Sequence, residues 1–181
     1  MKLIKLSCLA TVLTMAFTGY ASAETVTVSG GTVHFVGQIV AAGCSVDSES
    51  MNQTVEMGQI RTSVFDTKGA RSDAKDFKII LNNCDTAIAK NVAFSFLGQT
   101  STANDILALS GNTDGSAKNI GINIIDQSGT NFKVDGSTFG AKTALVGGRN
   151  VIPLTARYIS IADTVQAGQA NAVATFNVQY D

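Results

Sequence analysis

Six stretches of this chain alternate apolar and polar residues with a period of two, a pattern that a strand can bury on one face and that a helix cannot. Val33, Phe35 and Ile39 share a parity, as do Phe77, Ile79 and Leu81, then Val92, Phe94 and Phe96. Ile120, Ile122 and Ile124 follow, then Ile152, Leu154, Ala156 and Tyr158, and last Ala172, Ala174, Phe176, Val178 and Tyr180. Each set gives its strand one apolar face and leaves the other polar, as in an antiparallel sheet with one side toward a core.

Between the sets lie turn-rich segments: Gly111-Asn112-Thr113-Asp114-Gly115, Asp126-Gln127-Ser128-Gly129, Asp135-Gly136 and Gly147-Gly148-Arg149-Asn150. Short strands with regular turn breaks predict an all-β chain, an antiparallel sandwich. The single proline, Pro153, falls inside a good strand pattern, which predicts an edge strand or a strand that begins there. A helical turn is expected within Ser63 to Lys75.

The N-terminus reads as an export signal. Lys2 and Lys5 form a positive start, Leu6 to Phe17 is uncharged and mostly apolar, and Ala21-Ser22-Ala23 is a small-residue cleavage site. No later stretch approaches the length of a membrane span, so no membrane insertion is expected after cleavage of residues 1–23. The 158 residues that follow (181 − 23) suit one domain with a sizeable core. They hold fourteen acidic and eleven basic residues (13 − 2), a net charge near −3 that offers no basic surface for nucleic acid.

Cys44 and Cys84 remain as an even pair in an exported chain, the setting in which a disulfide persists. Closing a loop of about 40 residues removes roughly 4 kcal/mol of unfolded-chain entropy. A metal site needs more ligands than one histidine and two cysteines without paired spacing, and no cofactor is implied.

Catalytic chemistry finds little support, and the chain is read as a non-enzyme. Nucleophilic catalysis needs a base beside the nucleophile, and the one histidine, His34, lies on the polar parity of the first alternating set with Thr32 and Val36. Asp105, Asp114, Asp126 and Asp135 sit in or beside turns, where Asp accepts nearby backbone amides. Gly30-Gly31 and Gly147-Gly148 lack the lysine and helix of a phosphate loop.

The two ends of the chain carry the strongest signal. The last alternating run stops one residue before the end, so the edge it presents calls for cover from elsewhere. Ahead of the first cysteine, Val33 to Ile39 forms a detachable alternating arm whose inward parity reads Val33, Phe35, Gly37, Ile39. A missing side chain at Gly37 suits a receiving groove that is tight at that point.

These ends resemble the chaperone–usher pilin family, and within it the type 1 fimbrial major subunits. The likeness is carried by Gly30 to Gly37, by Ala42-Gly43-Cys44-Ser45-Val46-Asp47, by Leu81-Asn82-Asn83-Cys84-Asp85, by Ile152 to Tyr158 and by Ala174 to Tyr180. A glycine fourteenth from the end and a penultimate aromatic complete it, as Gly168 and Tyr180. The resemblance implies an incomplete immunoglobulin-like sandwich lacking its last strand, with residues 24–40 as a donor-strand extension and 41–181 as the pilin domain. It implies a groove beside the C-terminal strand, marked by Gly168, Phe176, Val178, Tyr180 and Asp181. A periodic exchange of partners is implied as well: a periplasmic pilus chaperone fills the groove first, and at the outer-membrane usher the arm of an identical subunit replaces it. The expected role is structural major subunit of a surface fimbria supporting attachment; the alternative is a minor or adaptor pilin, or a single-domain adhesive subunit binding a host receptor. Mass spectrometry of sheared surface protein is expected to find a chain beginning at Glu24, and a chain beginning at Met1 or Lys2 would contradict the export signal.

Overall fold

The computed structural model describes residues 25–111 and 115–181. The expected leader with its cut before Glu24, and the turn tip bearing Asp114, lie outside the described residues. Ile39–Asp181 form one compact unit. Residues 25–38, taken by themselves, run as irregular, exposed chain. The alternating pattern of the arm forms no strand among the described residues, where no ladder partner for it is found.

The compact unit is built from two antiparallel sheets. One has the order β1-β2-β7-β5-β4 and comprises β1 (Ser45–Val46), β2 (Lys75–Cys84), β7 (Gly148–Ser160), β5 (Ile120–Ile125) and β4 (Leu107–Ala108). The other has the order β6-β3-β8, with β6 (Thr143–Ala144), β3 (Asn91–Gly98) and β8 (Ala174–Tyr180). The period-two sets supply the inner faces: Ile79, Leu81, Ile122, Ile124, Ile152, Leu154, Ala156 and Tyr158 from the first sheet meet Val92, Phe94 and Phe96 from the second in one core cluster. Phe96 meets Phe132 edge-on, with ring centroids 4.9 Å apart. This is the expected immunoglobulin-like sandwich, and the periodicity found its long strands. The two-residue strands β1, β4 and β6 are too short to show a period.

Pro153 corrects one expectation. Its strand neither begins there nor lies at a sheet edge, since β7 is central and pairs β2 from Gly148 to Ala156. The proline is accommodated because β5 pairs β7 only from Thr155 to Ser160, which leaves Pro153 with a ladder partner on one side only. A missing N–H costs nothing on an unpaired side.

The expected helical turn is shorter than the span read for it. Within Ser63 to Lys75 the chain makes only a 3₁₀ turn at Thr62–Val64 before β2 begins at Lys75, whereas a four-residue helix, α1, spans Ser48–Met51. Asp47 caps α1, its Oδ1 accepting from Glu49 N at 2.9 Å. That bond, then a second from Asn82, holds the Asp47 carboxyl below its usual range.

The turn has a structural task along the edge of β2. Ser45 and Val46 pair with Asn82 and Leu81, and Asp47 N donates to Ile80 O at 2.9 Å. There the strand gives way to α1, and side chains take over the ladder. Ser50 Oγ accepts from Ile80 N at 2.9 Å, and Gln53 Nε2 donates to Lys78 O at 3.1 Å. Ser50 is buried, so its hydroxyl is the means by which a buried amide is satisfied without a strand beside it.

Cys44 and Cys84 form the expected disulfide, and both are buried. Cys84 follows an irregularity in the β2 ladder between Leu81 and Cys84, where Asn83 takes a left-handed φ of 54°. Beside the bridge, Gly43 passes so close to the 85–91 loop that a Cβ there would lie 2.5 Å from Ala89 Cβ. The disulfide thus joins the root of the arm to β2, within the compact unit.

Replacing Ser50 with Ala is expected to cost about 1–3 kcal/mol by stranding the Ile80 amide, with Gln53→Ala costing much less at its exposed site. Replacing both cysteines with Ser is expected to cost about 2–5 kcal/mol. Guanidinium midpoints followed by far-UV circular dichroism check both orderings.

Candidate strand-acceptor site

β8 is an edge strand. It pairs β3 in register from Val92↔Tyr180 to Gly98↔Ala174, and the sheet order places no described strand on its other side. Its inner face carries Ala174, Phe176, Val178 and Tyr180, which pack on the core yet remain only half-buried. The facing residues of β3, Val92, Phe94 and Phe96, are no more than 4% exposed. The same apolar layer is therefore sealed over β3 and open over β8, one strand further out. Outward of it, Thr175, Asn177 and Gln179 are exposed.

Phe176 is flanked across the ladder by two rings of β3. Its ring centroid lies 6.3 Å from that of Phe94 and 6.3 Å from that of Phe96, so it rests on aromatic neighbours in the core. Met57 and Ile60, from the irregular segment between α1 and the 3₁₀ turn, are also half-buried against the same core. Their contribution was not legible in the sequence, because the segment shows no period.

At the start of β8 the surface opens into a depression of about 520 Å³ lined by Ile60, Phe65, Ile120, Tyr158, Val165 and Gly168, among others. Tyr158 closes one side, its hydroxyl donating to Ala170 O at 2.8 Å, and burial pushes its phenol up from the ordinary value. Gly168 lies ahead of β8, in the segment that packs on residues 115–118. Ala117 N donates to Gln169 O at 2.9 Å and Gln169 N to Gly115 O at 2.8 Å. A Cβ at Gly168 would fall 2.4 Å from Ala117 N, so this backbone approach admits only glycine.

At the other end of β8, Tyr180 turns its ring inward. Its hydroxyl is buried and has no partner among the described residues, and burial raises its pKa. Asp181 is tied down: its main-chain oxygen accepts from Lys90 N at 2.7 Å and Asn91 N at 2.8 Å, its own N–H donates to Asn91 O at 3.1 Å, and Lys142 Nζ bonds its carboxylate at 2.6 Å. Nothing in the sequence pattern pointed to Lys142, which lies far from Asp181 along the chain.

The arm residues are all open to solvent. Val33 is 73% exposed, Phe35 93% and Ile39 fully so, and a Cβ at Gly37 would meet nothing within 4 Å. His34, on the opposite parity, is exposed as well. Among the described residues, no group of three or more His, Cys, Asp or Glu side chains is placed to hold a metal ion. Asp126 and Asp135 serve their own turns, each accepting from a backbone amide two residues on at 2.9 Å.

Comparison with known proteins agrees with this geometry. Residues 33–181 match the fimbrial protein family. The chain is 48% identical to the fimbrial subunit type 1 of Klebsiella pneumoniae, an alignment that covers 88% of each chain. It is 46% identical to the type-1 fimbrial protein A chain of Escherichia coli K12, again over 88% of each. Among solved structures it is similar to a chaperone–usher pilus subunit from a study of rod uncoiling, with a TM-score of 0.73 and 30% identity, covering 88% of this chain and all of that one. The P pilus rod subunit PapA gives a TM-score of 0.64 at 29% identity, covering 77% of this chain and all of PapA. With 46–48% of its aligned residues shared with type 1 subunits and an edge strand left open in a pilin sandwich, the chain belongs to the fimbrial protein family, whose members are exported subunits of cell-surface fimbriae.

Proposed function

We propose that this chain is the repeating structural subunit of a chaperone–usher fimbria and that it polymerises by donor-strand exchange, lending residues 33–39 to the free edge of a neighbour's β8. The observation that carries this reading is the half-covered inner face of β8, set against the sealed face of β3 beside it. An apolar strand edge left open is an aggregation hazard, and a strand of matching pattern removes it.

The two patterns match in size as well as in parity. In an antiparallel register with Gly37 opposite Phe176, Phe35 faces Val178, Val33 faces Tyr180 and Ile39 faces Ala174. Directly opposed side chains on one face lie about 4.5–5.5 Å apart at Cβ, so each pair competes for a fixed volume. Phe176 cannot retreat, because Phe94 and Phe96 lie behind it. The residue without a side chain therefore meets the one ring that is braced. Burying Val33, Phe35 and Ile39 contributes roughly 6 kcal/mol at about 2 kcal/mol each, before ladder bonds and the cost of ordering the arm.

In this reading a periplasmic chaperone covers the same edge first, along β8 as far as Tyr180 and Asp181, and the usher oversees its replacement. Removing residues 172–181 deletes the whole pairing strand, so no chaperone complex should be recovered from the periplasm. A normal yield of complex would show that recognition lies elsewhere.

For the arm the expected outcomes are separable. Gly37→Leu adds a side chain against a braced ring, and overpacking of that kind typically costs about 1–3 kcal/mol. Phe35→Asp puts an unpaired charge in the same groove and is costlier still. Both variants should fold, export and bind chaperone, since their own β8 is intact, yet yield few fibres; His34→Ala should be near normal. Fibre counts by negative-stain microscopy, with periplasmic chaperone complexes assayed in parallel, check this. Normal fibres from both variants would remove the arm from its role, and loss of the complex would place these residues in the subunit's own fold.

A further inference from the structure

The outer face of the first sheet, away from β8, holds two arginines that the strand-exchange reading leaves unused. Arg157 on β7 stands directly opposite Asn123 on β5. Arg71 forms a bridge with Ile159, two residues along β7, so its side chain shares the face of Arg157. Arg71 is exposed and Arg157 half-buried.

Among the described residues neither guanidinium has an ion-pair partner. The ion pair found among the described residues is Lys142–Asp181, at a distant corner of the molecule. Asp76, opposite Thr155 on this same face, lies beyond ion-pair distance of both arginines. Asp105 is nearby, since its main-chain oxygen accepts from Asn123 Nδ2 at 2.7 Å, but its carboxylate is taken by Asn131 Nδ2 at 2.9 Å. Asn123 is completely buried with its Oδ1 unpartnered, and Arg157 Nε across the ladder is buried and unpartnered too. The two atoms do not bond each other, so a buried donor of Arg157 is left without an acceptor among the described residues. Burial, and then the charge of Arg71, lower the Arg157 pKa.

We propose that Arg71 and Arg157 form a carboxylate-binding site that takes an acidic side chain from another copy of this chain in the fibre. Paired guanidiniums suit a carboxylate because their planar N–H forks match its two oxygens. The occupant follows from charge and concentration. Beyond the leader the acids outnumber the bases by three, so each copy carries carboxylates in excess of its own cations. Copies held in one fibre also meet at high effective concentration. The inference rests on the fibre reading given above. It concerns lateral contacts on the sheet opposite the one that receives the donor strand.

The test is zero-length cross-linking. Arg71→Lys and Arg157→Lys keep the charge but supply an amine that a carbodiimide joins to a carboxylate in contact. Wild-type fibres, imaged first, establish the polymer independently, so that failure of polymerisation and failure of this site are told apart. Fibres of either lysine variant are expected to give a cross-linked peptide joining residue 71 or 157 to an acidic residue, one that the chaperone-held subunit does not give. Arg71→Gln/Arg157→Gln fibres should form by the same strand exchange and disperse at a lower denaturant concentration. If both lysine variants form fibres without such a peptide, or give the same peptide in the chaperone-held subunit, the site binds no neighbour and the proposal is overturned.

Discussion

An apolar strand face that is covered on one side and open on the other governs the rest of this molecule. β8 buries its inner residues only halfway, although Val92, Phe94 and Phe96 on the neighbouring strand are buried. A fold in this condition has two physical options: another chain completes the sheet, or the edge invites unspecific pairing. The chain's own arm carries the complementary pattern and is exposed along its whole described length, which suits it to intermolecular work. In the proposed strand exchange, incompleteness and assembly are one property.

The disulfide and the close approach of Gly43 to Ala89 fit this division of labour. In the proposed exchange, the arm needs a root that stays fixed while its strand pairs elsewhere. Cys44 is bonded to Cys84 at the end of β2, and Gly43 O accepts from Asp85 N at 2.9 Å, so a pull on the arm is taken up by the sandwich at once. If subunits are joined by strand exchange, unlinking requires a whole strand to leave its groove, so a rate more than an equilibrium governs the persistence of the fibre.

The long strands were legible because burial on one face imposes a period of two, and Ile79, Phe94, Ile122, Leu154 and Val178 each obey it. The features that were missed follow from interactions that leave no period. α1 is one turn long, and what places it is an Asp47 cap and the task of Ser50 at the β2 edge, both settled by tertiary context. Pro153 was misplaced because the sequence shows which residues form a strand but not how far each neighbour runs alongside it; the paired lengths of β2 and β5 differ. In the candidate site, Phe176 and Tyr180 stood out by pattern, whereas Met57, Ile60 and Lys142 come from remote segments and carried no signal. The Gly168 position was marked by family likeness alone, and its reason is a backbone approach that no side chain permits.

A reconstruction of the assembled fibre by electron cryo-microscopy tests the central claim most directly, because it shows what lies against the free edge of β8. The account predicts residues 33–39 of one subunit paired antiparallel along β8 of the next, with Gly37 across from Phe176. A fibre in which that edge is unpaired, or is covered by any segment other than a neighbour's arm, would contradict it.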